Sequence, residues 1–192
     1  MNAAVLLQGD CLSLLPELQA ASVDLVVCDL PYGTTNAKWD SPVNLPALWK
    51  QYARIVKPNG GIVLFAQTPF DKVLGCSNLP WLRYELIWEK TEPTGHLNAK
   101  KMPMKAHENI LVFYKHLPTY NPQKTKGHVR KTAMRVNRSE GQSELYGTQS
   151  GVTSYDSTER YPRSVLKFST DKQRSHLGMA KPVPRSYTVR LW

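Results

Sequence analysis

Cysteine is scarce in this chain of 192 residues: only Cys11, Cys28 and Cys76 occur. Three thiols so widely spaced exclude a disulfide framework and any Cys-x-x-Cys zinc site, and they read as reduced thiols. Long apolar runs are missing as well; no stretch approaches the ~18 residues that cross a bilayer. The opening MNAAVLLQGD has neither the basic start nor the apolar run of a secretory leader, so the expected location is the cytoplasm. No P-loop, G-x-S-x-G or H-E-x-x-H occurs, and five scattered histidines make no metal cluster. Those absences exclude P-loop, serine-elbow and zincin chemistry, and no metal is expected.

Acidic residues are scarce in one half only. Residues 1–95 hold 7 Lys and Arg against 9 Asp and Glu, whereas residues 96–192 hold 18 against 6. The net charge of +10 therefore belongs to the second half. A one-sided basic field favours a polyanion, and counterion release makes nucleic acid the natural partner. The basic stretch lacks an amphipathic helical pattern, which argues against a membrane surface.

The first half alternates between strand and helix patterns. AAVLLQ at 3–8 is a short apolar run, read as a strand, and CLSLLPELQA places its leucines on one helical face. VDLVVCDL at 23–30 is a continuous apolar run, as expected for a strand covered on both faces. LPALWKQYARIVK at 45–57 reads as an amphipathic helix ended by Pro58-Asn59-Gly60-Gly61, and GIVLFA follows as a strand. A helix near 69–76 and strands in RYELIWEK and ENILVFYK complete the pattern. Such alternation predicts a three-layer α/β sandwich with a mostly parallel sheet.

From Leu117 to Pro162 apolar residues thin out, and Lys124, Lys126, Arg130, Lys131, Arg135 and Arg138 lie among small polar residues. This reads as a basic, loop-rich insertion, with GQSELYGTQSGVTSYDST polar enough to be mobile without a partner. SVLKF at 164–168 marks the return to the first domain. The expected division is 1–116 as the core, 117–162 as the insertion and 163–192 as the return.

The most informative letters are Asp29-Leu30-Pro31-Tyr32-Gly33, directly after a strand. In an open α/β sheet, ligands bind beyond the carboxyl ends of the strands. Pro31 lacks a backbone donor and restricts Leu30, which can leave the Leu30 carbonyl turned outward as an acceptor. Asp29 is a second acceptor and Tyr32 a flat surface. Two acceptors beside a stacking platform suit the exocyclic amine of a nucleobase.

These residues resemble the D/N/S-P-P-Y signature of the DNA amino-methyltransferases, which methylate adenine N6 or cytosine N4, with Leu30 in place of the first proline. GDCLSLLPEL, LPALWKQYARIVKPNGGIVLFAQ and RYELIWEKTEPTGHLNAKKMPMKAHENILVFYK resemble successive blocks of the same family. Their order is that of its circularly permuted subclass, in which the catalytic motif precedes the cofactor motif. The resemblance covers about 4–116 and 162–182, and the stretch between occupies the place of the target-recognition region.

The resemblance implies a Rossmann-like methyltransferase fold, S-adenosyl-L-methionine as cofactor, and a base flipped out of double-stranded DNA. It gives Asp29, Leu30, Pro31 and Tyr32 the catalytic role. Asp10, Cys11, Asp29 and Lys181 would belong to the cofactor site. Lys100, Lys101 and Lys105, with the basic residues of the insertion, would hold DNA phosphates. Aspartate at the first motif position favours adenine.

The cofactor half departs from the family. The permuted enzymes continue through H-P-T-x-K-P, a helix and a strand to D-x-F-x-G-x-G. This chain reads His176-Leu177-Gly178-Met179-Ala180-Lys181-Pro182, then VPRSYTVRLW, with no G-x-G anywhere. The expectation is a truncated sheet lacking two central strands, which would lie between the 3–8 and 23–30 strands, and weak cofactor binding by the chain alone. Three alternatives stay open: a cytosine-N4 enzyme, a DNA-binding remnant without catalysis, and a subunit completed in trans by a C-terminal fragment or within a homodimer.

Overall fold

In the computed structural model the described residues are 5–37, 40–136, 142–143, 147–148 and 152–167. They divide after Tyr120 and again at Ser164 into two units.

The first unit is a mixed α/β fold built on a five-stranded sheet. Its strands are β1 (Val23–Asp29), β2 (Val56–Ala66), β3 (Leu82–Thr94), β4 (Lys105–Phe113) and β9 (Val165–Lys167), in spatial order β1-β2-β4-β3-β9. β1 pairs parallel with β2 and β3 with β9, while β4 is antiparallel to both of its neighbours. β4 alone opposes the common direction of the described strands of this sheet, as the mostly parallel pattern predicts. The SVLKF return is β9, seated against Ile87–Glu89 of β3.

Helix α2 (Leu45–Ile55) supplies more of the core than any other element. Asn44 caps it by accepting from the Ala47 N–H at 3.1 Å, and Pro46 sits in the first turn, where a missing donor costs nothing. Leu45, Leu48, Trp49, Tyr52 and Ile55 form its buried stripe. They pack on Ile62, Leu64 and Ala66 of β2, on Leu111 and Phe113 of β4, and on Phe70 and Leu74 of α3 (Phe70–Ser77). The Trp49 ring lies 4.9 Å from that of Phe113 and donates Nε1–H to Ser77 at 2.8 Å. Burial of each large side chain here contributes about 1.5–3 kcal/mol.

Two expectations need correction. Residues 5–8 form no strand, and Leu6 is 97% exposed; an apolar run of that length has no ladder without a neighbouring strand. The Pro58–Gly61 segment does not follow the helix as a loop, because β2 begins at Val56, directly after α2. Gly60 is required there, since a Cβ would lie 2.5 Å from Val56 Cγ1 and 2.9 Å from the Asp24 carbonyl. Helices α1 (Cys11–Leu14), α2 and α3 pack on one face of the sheet. On the opposite face Val63, Leu86, Ile110 and Val112 are buried as well.

Among the described strands of this sheet β1 is terminal, and Val27, on the same face as Asp29, is 59% exposed.

The second unit is not loop alone. β5 (Lys131–Val136) and β8 (Val152–Ser157) form an antiparallel ribbon, with the short pair β6 (Gln142–Ser143) and β7 (Gly147–Thr148). Polar sequence hid this ribbon, because its backbone ladder needs no apolar alternation. Arg160 ties its base, donating to the carbonyls of Ser157, Glu159 and Val129 and to the Tyr155 hydroxyl.

Candidate active site

The Asp29–Gly33 turn lies at the carboxyl end of β1. Leu30 is 5% exposed and anchors the turn in the core, while Asp29 stays exposed and Tyr32 half-buried. The Tyr32 hydroxyl donates to Asp29 Oδ1 at 2.6 Å, and its ring stacks on Phe70, with centroids 5.7 Å apart and planes at 24°. Burial first, then the hydrogen bond and charge of Asp29 and the charge of Glu108, push the Tyr32 hydroxyl far above its ordinary pKa. Tyr32 therefore stays a neutral donor with one ring face covered.

Asp40, absent from the sequence-based site, holds the turn from below. Its carboxylate accepts from the backbone N–H groups of Gly33, Thr34 and Thr35 at 2.8, 2.9 and 2.7 Å. A hydrogen bond from the Thr35 side chain, and then the backbone donors, hold its pKa down at about 2 against the opposing effect of burial. Gly33 has φ +67°, and a Cβ there would lie 2.6 Å from Pro42 Cγ. The signal that could have found Asp40 is an aspartate a short loop beyond a glycine turn, where its carboxylate can collect free N–H groups.

The sheet register carries the site across three strands. Asp29 is opposite Phe65, and Phe65 is opposite Ile110. Side chains alternate along a strand, so Asp29, Phe65, Ile110 and Glu108 share the face away from α2. Beyond this row lies a cleft of about 150 Å³ lined by Gln67, Thr68, Lys105, His107, Glu108 and Asn109. Glu108 is 7% exposed; its Oε1 pairs with Lys90 Nζ at 2.6 Å, and its Oε2 has no hydrogen-bond partner. Asn109 donates to Asp71 at 2.5 Å and leaves its buried Oδ1 unpartnered. Strand patterning alone hid both, because they open the apolar run ENILVF.

A larger cavity of about 250 Å³ lies at the opposite end of the sheet, beside Ala21, Arg54, Lys57, Trp81 and Lys115. It is at the wrong end of the strands for an open α/β sheet.

The remaining expected residues are dispersed. Asp10 caps α1, its Oδ1 accepting from the N–H groups of Leu12 and Ser13 at 2.9 and 3.1 Å, and Cys11 is exposed beside it. With Asp29 they make no closed pocket among the described residues, and Lys181 lies outside those residues. Lys100 and Lys101 are exposed, and Lys105 reaches the cleft, donating to Gln67 at 3.2 Å. In the second unit Lys124 pairs with Glu159 at 3.4 Å and lies 4.6 Å from the centre of the Tyr161 ring, while Lys126 is 3.9 Å from Glu159. Arg130 grips Asp156 through two hydrogen bonds, and Lys131 is exposed. The Arg135 side chain and all of Arg138 lie outside the described residues. Lys124 and Arg130 are thus partly neutralised within the chain, which a count of charges could not reveal.

A protein-family model described as DNA methylase, of the N6/N4 type, matches residues 23–177. Among solved structures, the PvuII cytosine-N4-specific DNA methyltransferase aligns with a TM-score of 0.55 at 12% identity, covering 88% of this chain and 58% of that one. The M1.HpyAVI–SAM complex aligns with a TM-score of 0.47 at 20% identity, covering 63% of this chain and 62% of that one. The chain thus spans about three-fifths of the length of either structure. The PvuII enzyme shows the shared fold, and the family match runs from the start of β1 through the D-L-P-Y turn and beyond β9. The chain is a member of the N6/N4 DNA methylase family.

Proposed function

We propose that this chain is the catalytic and target-recognition part of a DNA adenine-N6 methyltransferase that uses S-adenosyl-L-methionine on a flipped base. The observation that carries this reading is the exposed Asp29 carboxylate at the carboxyl end of β1, held beside a neutral, stacked Tyr32.

An exocyclic amine is a poor nucleophile because its lone pair is delocalised into the ring. Hydrogen bonds from its two hydrogens to the Asp29 carboxylate and the Leu30 carbonyl localise that pair as the nitrogen pyramidalises. Acceptors aimed at a nitrogen that becomes cationic stabilise the charge where it develops. Tyr32 presents an aromatic ring at this turn, so a base drawn from its stack and laid against it regains part of the few kcal/mol that flipping costs. Asp29 then takes the proton that the methylated nitrogen loses.

The cofactor, when bound, supplies an electrophilic methyl group whose bonding pair returns to sulfur as the nitrogen–carbon bond forms. Of its expected holders, Asp29, Asp10 and Cys11 lie among the described residues; Asp10 already spends one oxygen on its helix cap. That partial set favours weak cofactor binding by this chain alone. Lys100, Lys101, Lys105, Lys131 and the basic residues of the second unit would meet the phosphates, which fixes register and not sequence.

Asp29→Ala should abolish incorporation of labelled methyl groups into DNA while leaving DNA retention on a filter intact. Transfer that survives this substitution, or a wild-type chain that does not retain DNA, would overturn the reading. Retention without any transfer by the wild type would instead favour a non-catalytic DNA-binding chain. Digestion of the product to nucleosides distinguishes N6-methyladenine from N4-methylcytosine.

A further inference from the structure

The cleft beside the D-L-P-Y turn contains a group that the reaction described above does not use. Glu108 is buried and ionically paired through one oxygen only; the other is itself buried and has no hydrogen-bond partner, and the residue lines the cleft. Leaving a buried carboxylate oxygen without a donor is costly, and such an atom is either hydrated or met by a ligand. The register places Glu108 on the same sheet face as Asp29, with Phe65 in the strand between them. Adjacent strands are ~4.8 Å apart, so a planar ring entering over Phe65 lies within side-chain reach of both carboxylates. The charge of Glu108 is felt at the Tyr32 hydroxyl, which itself bonds Asp29, so the three groups share one electrostatic environment.

We propose that Glu108 is a second carboxylate acceptor for the exocyclic amine of the target base, acting with Asp29. The proposal rests on the methyltransferase reading and adds to it a residue that selects the substrate.

The chemistry of the bases gives the selection its sign. Adenine and cytosine offer an amine at the reacting position, and its two hydrogens can go to two acceptors. Thymine and guanine offer a keto oxygen there, whose lone pairs would face both carboxylates. One of the two Asp29 oxygens already accepts from Tyr32, so Glu108 offers a charged acceptor to the amine hydrogen that would otherwise go to the neutral Leu30 carbonyl. As the nitrogen gains its fourth bond it becomes cationic, and a nearby second carboxylate in a low-dielectric cleft stabilises it more than one alone. Lys90 keeps Glu108 in place by holding Oε1, at 2.6 Å.

The test uses the full chain and four nucleosides as probes: adenosine, cytidine and their deaminated counterparts inosine and uridine. Binding is followed by saturation-transfer NMR and by titration calorimetry. An amine-bearing nucleoside should bind about tenfold or more tightly than its keto counterpart, the size of one lost hydrogen bond to a charged group. Glu108→Gln should flatten that ratio and admit the keto nucleoside, because the new amide can turn an N–H toward its oxygen. Since Glu108→Gln leaves Lys90 buried without its partner, the paired variant Lys90→Met/Glu108→Gln is measured beside it, with a melting curve for each. An unchanged ratio in either folded variant would overturn the proposal, as would no amine preference in the wild-type chain; the vacant oxygen would then be met by water alone. If Asp29→Ala stops methyl transfer while Glu108→Gln alters neither transfer nor the ratio, the inference fails and the methyltransferase reading stands.

Discussion

The two units of this chain are held together by different forces. In the first, α2 presses five large side chains onto a sheet, and Leu48, Ile62, Leu64, Val112 and Phe113 lose almost all their contact with solvent. In the second, a two-stranded ribbon shows Met134 76% exposed and is tied at its base by Arg160 and by ion pairs through Asp156 and Glu159. Apolar burial fixes positions to within a rotamer, which a turn carrying Asp29 needs. A ribbon with little core can adapt to a long polyanion. The difference also divides the chemistry, with buried acceptors at the end of the sheet and cations on the ribbon.

The strongest way to break this comparison is through the core. Leu48→Ala removes a fully buried side chain from the face of α2 and should cost about 2–5 kcal/mol in urea unfolding followed by tryptophan fluorescence. Met134→Ala in the ribbon should stay within about 0.5 kcal/mol by the same measurement. Equal losses would mean that the ribbon contributes to the core after all.

A smaller effect belongs to the turn. Gly33→Ala meets both a left-handed backbone, at φ +67°, and Pro42 Cγ at 2.6 Å. The strained conformation should cost about 1–3 kcal/mol. Because the Gly33 N–H is one of three donors to Asp40, methyl transfer should fall further than stability does. A variant that loses stability but transfers methyl groups at the wild-type rate would separate the turn from the site.

Much of the first unit could be read from residue pattern. The spacing of Leu45, Leu48, Trp49, Tyr52 and Ile55 is helical, and runs such as GIVLFA and ILVF have the length and β-branched content of buried strands. The D-L-P-Y letters located the turn because the role proposed for it requires those residue types. What could not be read depends on partners distant in sequence. Val5, Leu6 and Leu7 look like a strand, yet a strand exists only where another accepts its ladder. Glu108 looks like the polar start of a strand until Lys90 and the cleft are seen beside it. Asp40 acts through backbone donors of a loop, which leave no mark on composition. The ribbon of the second unit was hidden for a related reason: the described side chains of β5 and β8 bury no apolar face, so alternation is silent.

The comparison sharpens in acid. Asp40 has its carboxyl at about 2, below the ordinary 3.8. A depressed carboxyl contributes stability that is complete above its unfolded value and is lost as pH falls through the folded one. Thermal unfolding of the wild type should therefore decline between about pH 4 and pH 2, and Asp40→Asn should remove part of that slope. Asp156, lowered by its hydrogen bonds with Arg130, adds a component of the same sign.

Salt separates the two carboxylates and gives the smallest expected effect. At about 1 M ionic strength the screening length falls to roughly 3 Å, and exposed pairs contribute little. Arg130 and Asp156 are both largely exposed, so Asp156→Asn should change the acid slope in dilute buffer and leave it unaltered in concentrated salt. Asp40 is buried and held by three backbone N–H groups at 2.7–2.9 Å, so the contribution removed by Asp40→Asn should persist in salt. If concentrated salt erased both contributions alike, the turn would be held by long-range charge and not by its local donors. The contrast between a site fixed by burial and a ribbon held by surface charge would then fail at the residue that supports the site.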